Sequence, residues 1–145
     1  MKDLVHTWQF WALLSAAFAA LTAILAKVGV SGVGSDFATL LRTVVVLAAL
    51  ALIVIATGQW QPLDEVPARS YVFLALSGLA TGASWLCYFR ALKIGDASRV
   101  APVDKLSVVL VAVFGAVILG ERLAALNWLG VVLIAVGAVL VAHKV

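Results

Sequence analysis

The sequence predicts an all-α fold, an integral membrane bundle of five transmembrane helices. Three observations predict it. Of the 145 residues, 65% are apolar and 12% charged, against about half and about a quarter in soluble domains. A water-soluble fold of this size cannot hide that much apolar surface, so lipid is the main solvent. Five segments reach the ~20 apolar residues that cross a bilayer as a helix. The connections between them are short, which makes successive helices antiparallel neighbours.

The first span is expected at about 8–28. Its apolar run is longer than the ~7–15 residues of a signal peptide, and no small-x-small cleavage pattern follows it, so it is read as a retained helix. The Gly/Ser-rich stretch 29–36 ends in cap residues and leads into the second span, 37–57, which Arg42 interrupts. The longest loop, 58–69, holds Pro62 and Pro67. The third span, 71–89, is uncharged. A Gly-Asp turn signal at Gly95 and Asp96 separates it from the fourth, 100–120, with Asp104 and Lys105 near its start. A tight turn at 120–122 precedes the fifth, 123–142, also uncharged. No soluble domain or linker interrupts this, so residues 1–145 are expected as one domain.

An odd number of spans puts the termini on opposite sides. The N-terminal side holds Lys2, Arg69 and Arg122. The C-terminal side holds Lys27, Arg42, Arg90, Lys93, Arg99, Lys105 and Lys144. Cytoplasmic loops favour Lys and Arg, so the N-terminus is expected outside and the C-terminus inside a plasma or inner membrane. Setting aside Arg42, Arg90 and Lys105, which lie next to or within apolar runs, nearly equalises the sides and leaves insertion in both orientations open. With Asp36, Asp96 and Asp104 on the C-terminal side and Asp3, Asp64, Glu65 and Glu121 on the other, the net charge of +3 is polarised towards the C-terminal side. Trp8, Trp11, Trp60 and Trp128 fall at helix ends on the N-terminal side, as interfacial anchors do.

Several function classes drop out. No basic patch is interleaved with aromatics, so nucleic acid is not an expected partner. The single cysteine, Cys87, forms no intramolecular disulfide and reads as a small apolar residue. His6 and His143 lie at opposite ends of the chain, and no metal site is suggested. No nucleophile is paired with a base and no phosphate-cradling glycine loop occurs, so no enzyme is expected. No cofactor is called for, though a coupling ion is left open.

What remains is charge within hydrocarbon, which is costly and needs a reason. Lys27 ends the first helix, where it either snorkels to the interface or serves the solute. Arg42 lies some two turns into the second helix. Asp104 is a first-turn acid on the helix dipole if Pro102 begins the fourth helix. Lys105 then opposes the dipole, and a partner on another helix or a ligand is expected for it. The second and fourth helices both start on the C-terminal side, and their positive ends with Arg42 and Lys105 suit an anionic group. Trp85 and Tyr88, with Phe89, offer either aromatic lining for a small-molecule site or plain packing. Arg90 and Glu121 are secondary candidates. Gly78 and Gly82 form a GxxxG, and Gly130 and Gly137 share a face. Both pairs suit close helix packing, within the bundle or between subunits.

The pattern W-x-x-Y-F-x-A-L-x-x-G-x-A-S-x-V-x-P at 85–102, D-K-L-S at 104–107, L-G-E-R at 119–122, and the Gly130 and Gly137 pair resemble the EamA-type family of the drug/metabolite transporter superfamily. Lys27 and the Arg42-Thr43 pair fit as well. The resemblance implies a multi-spanning transporter. Many members have ten helices in two inverted five-helix halves, and this chain supplies one half. A transporter protomer is therefore expected, moving a small metabolite or drug-like solute by alternating access as a homodimer or with a related five-helix partner. The rival expectation is a non-transporting accessory or assembly subunit.

Overall fold

The computed structural model describes residues 7–143, so Lys2, Asp3 and Lys144, which enter the charge reading above, and His6, which enters the metal reading, lie outside the described residues. Among the described residues the chain is all helical. It forms α1 (Trp8–Val30), α2 (Ser35–Ala56), α3 (Ala68–Ile94), α4 (Ala97–Asp104), α5 (Leu106–Ile118) and α6 (Ala125–Ala142), with a 3₁₀ turn at Leu63–Glu65. Five helical stretches are long and apolar enough to cross a membrane, α4 and α5 together counting as one, Ala97–Ile118.

The helix ends follow local chemistry. The α2 end is closed by Gly58 at φ +65. Gln59 N–H donates to Val54 O at 3.1 Å and Gly58 N–H to Ile55 O at 3.2 Å, the paired bonds of a glycine-terminated helix. Tyr71 Oη donates to Leu63 O at 2.6 Å, tying the 3₁₀ turn to α3. The third helix is longer than its apolar run. Its 27 residues span ~40 Å, more than the ~30 Å hydrocarbon thickness. It therefore carries Arg90 and Lys93 in its last turns and stops only at Gly95.

The fourth span departs furthest from expectation. It starts at Ala97 behind an extended Asp96, not at Val100, and Pro102 lies inside α4 rather than at its first position. Proline has no N–H to give the Ser98 carbonyl four residues back, and its ring crowds that carbonyl. The helix is interrupted at Lys105, where Val108 N–H reaches the Lys105 carbonyl, three residues back, at 3.0 Å. Asp104 therefore ends α4. It is not a first-turn acid, and Lys105 is not a first-turn cation.

The chain divides into two compact units, one comprising residues 28–93, the other joining α1 up to Lys27 to the chain from Ile94 onward. In the first, Leu92 and Val30 are fully buried and Phe89 and Thr39 nearly so. The Thr39 hydroxyl donates to Ser35 O at 2.9 Å, so its burial leaves no polar hydrogen unsatisfied. In the second, α6 packs on α4 and α5, with Ala138 and Ala23 buried. Most large apolar side chains, Leu47 and Leu79 among them, point outward. In lipid such outward apolar surface is favourable rather than a defect.

Candidate functional site

In the unit of residues 28–93, α2 and α3 run antiparallel, and an ion pair fixes their register at one end. Arg90 Nε donates to Asp36 Oδ1 at 3.0 Å and Nη2 to Oδ2 at 2.7 Å. This two-pronged geometry is the strongest an arginine makes with a carboxylate. Lys93 Nζ donates to Val33 O at 2.8 Å, holding the loop before α2. Arg90 is thus placed as a tie between helix ends.

Seven residues into α2, ~10 Å along its axis at 1.5 Å per residue, the Arg42 guanidinium lies over the Trp85 ring, 4.1 Å from its centroid. Phe89, one turn further along α3, is 5.7 Å away, and Tyr88 is close enough to interact electrostatically with Arg42. Positions 85 and 89 share one face of α3, and Phe89 is buried. A guanidinium over an indole gains ~0.5–1 kcal/mol where exposed and ~2 kcal/mol or more where desolvated, and Arg42 and Trp85 are both half-buried. Among the described residues Arg42 has no hydrogen-bond or ion-pair partner. Its flat face is occupied while its N–H edges are not spent on protein.

The other unit uses its cations differently. Lys27 Nζ donates to Gly95 O at 2.8 Å, so it reaches the turn after α3 rather than simply snorkelling. Arg99 Nη2 donates to Ala142 O at 2.8 Å, capping the negative end of α6. Lys105 Nζ meets Asp104 Oδ2 at 3.4 Å. Its partner is therefore its chain neighbour rather than a group on another helix, because the interruption at Lys105 breaks the 100° spacing of a regular helix. Arg42 and Trp85 are brought together in one unit, and Asp104 and Lys105 in the other.

Glu121 folds back along α5. Its N–H donates to Gly115 O at 3.0 Å, and its Oε2 lies 2.7 Å from where a β-carbon on Gly115 would stand. Gly120, at φ +71, makes the reversal sterically cheap. The carboxylate borders an open groove of about 290 Å³ lined by Val111, Phe114, Gly115, Ile118 and Leu119. Gly115 carried no signal in the sequence beyond its place in an apolar run. Asp36, Lys93 and Arg99 were also not singled out as ties, because their partners lie far away along the chain.

A β-carbon added at Gly78, Gly82, Gly130 or Gly137 would meet nothing within 4 Å among the described residues.

The comparisons with known proteins agree with this architecture. The model of the EamA-like transporter family matches residues 6–143. A protein of Sinorhizobium sp named as an uncharacterized transporter in the cobO 3′ region is 70% identical over 137 residues, covering 94% of this chain and 97% of that protein. No solved structure matches the chain. With five apolar spans and a family match over nearly its whole length, the chain belongs to the EamA-like transporter family.

Proposed function

We propose that the chain is one protomer of a secondary transporter that moves a small metabolite across the membrane by alternating access, paired with a second five-helix unit. One observation carries the reading. Among the described residues Lys27, Arg90, Lys93, Arg99 and Lys105 have oxygen partners on the protein, and Arg69, over Phe73, stands at the very start of α3, whereas Arg42, two turns inside α2, lies against aromatic rings with no acceptor. A cation kept in hydrocarbon without a protein counter-charge is explained by an anionic group that comes and goes. The glycine pairs on α3 and α6, where an added β-carbon would meet nothing within 4 Å among the described residues, suit close approach by a second protomer's helices, and a site between two protomers related by inversion is the arrangement that alternating access uses. The interruption at Lys105 provides a point about which the fourth span can bend.

Sealed vesicles containing the purified protein as their only protein are expected to exchange at least one small organic solute saturably, measured with a radiolabelled panel. Leakage indistinguishable from protein-free vesicles across the panel would overturn the reading and leave an accessory subunit.

A further inference from the structure

We infer that the Arg42 guanidinium, stacked on Trp85, binds a small organic monocarboxylate with an apolar body, an inference that rests on the transport reading above. The geometry of the guanidinium carries the first step. With one face on Trp85 at 4.1 Å, the group is held in a fixed plane, and what it still offers is its N–H edges in that plane. Two parallel N–H bonds match the two oxygens of a planar carboxylate.

Charge balance carries the second step. In this unit's helix-end network Arg90 is neutralised by Asp36, and Lys93 is held at the loop carbonyl of Val33. Arg42 therefore supplies one positive charge. A phosphate monoester carries about −1.5 to −2 at neutral pH, so it would leave uncompensated charge in a low-dielectric site, where unpaired charge is heavily penalised. A cationic solute would meet a guanidinium with no acid beside it, since Asp36 is engaged.

The hydrogen-bond inventory carries the third step. Along α2 the Thr39 and Thr43 hydroxyl hydrogens are spent on Ser35 O and Thr39 O at 2.9 and 2.8 Å. They offer no donors to a hydroxyl-rich body. Trp85 and Phe89 present their ring faces instead, with the phenol of Tyr88 a polar group beside Arg42 on α3, and an apolar body meets the rings without a desolvation loss.

The test is calorimetric titration of the full chain in lipid nanodiscs with three probes of matched body: benzoate, benzyl phosphate and benzylamine. Benzoate is expected to bind at least ~10-fold tighter than either other probe, because a mismatch of one charge in a desolvated site exceeds the 1.4 kcal/mol of a tenfold difference. Arg42→Gln is expected to lower benzoate affinity at least ~10-fold, and Arg42→Lys to restore only part of it, because lysine keeps the charge without the planar fork. No saturable benzoate binding, equal or tighter binding of benzyl phosphate or benzylamine, or unchanged affinity in Arg42→Gln each overturns the inference. Vesicle exchange of some other solute, without benzoate binding, would sink this inference and leave the transport reading standing. Benzoate binding without exchange of any solute would do the reverse.

Discussion

Replacing Arg42 with glutamine lowers solute flux at least ~100-fold and leaves the folded protein as stable as the parent, or more so. The two effects have opposite signs for one reason. A bidentate, charge-assisted pair with an anionic solute group is worth ~1.5–3 kcal/mol per bond, so losing both bonds costs two orders of magnitude or more in rate at 1.36 kcal/mol per decade. Inserting an arginine at a helix centre costs ~2.5–3.5 kcal/mol, and Arg42, nearer a helix end, carries part of that cost. Against this stands the stacking of the half-buried Arg42 on Trp85, which glutamine forfeits and which is worth ~1 kcal/mol at partial exposure. Initial rates in vesicles and thermal unfolding in detergent check the two signs. Loss of flux together with loss of folded protein would show that Arg42 is a structural residue.

The second large effect is expected at the interruption of the fourth span. Pro102→Ala restores a backbone donor for the Ser98 carbonyl. Proline inside a soluble helix is ~3 kcal/mol less favourable than alanine, and neighbouring groups in a membrane recover part of that loss. The folded protein is therefore expected to gain ~1–2 kcal/mol, about half the soluble figure. Because the span then runs through Lys105 as one stiff rod, flux is expected to fall ~10-fold, as it does when a hinge is removed from a moving element. A variant that gains stability at full flux would make the interruption incidental to transport.

The spans were legible because hydrocarbon thickness imposes a length that composition alone reveals. Arg42 and Trp85 were legible for the complementary reason: a charge or a polar-tipped ring inside such a run stands out. Partners were not legible. Arg90 and Asp36 lie 54 positions apart, and nothing local in either residue names the other. Asp104 and Lys105 were misplaced because Pro102 fits the first turn of a helix as well as its interior, and only the backbone decides between them. The helix starts earlier because the Gly95-Asp96 turn frees Ala97 to begin it, which puts proline in the interior and the acid at the end. Glu121 was legible as a residue but not as a neighbour of Gly115, since the reversal at Gly120 folds its carboxylate back over a helix it follows in sequence.

The transport reading depends on the Arg42–Trp85 pair being reached by water from alternate sides of the membrane. Labelling an engineered cysteine tests this without knowledge of the solute. Cys87 is free and exposed, so the background is Cys87→Ser. In it, Trp85→Cys is placed beside Arg42 and Leu47→Cys serves as an outward-facing control. A membrane-impermeant thiosulfonate reagent is predicted to modify position 85 when added from either side, and position 47 from neither. Protection of position 85 from one side or from both would contradict the account.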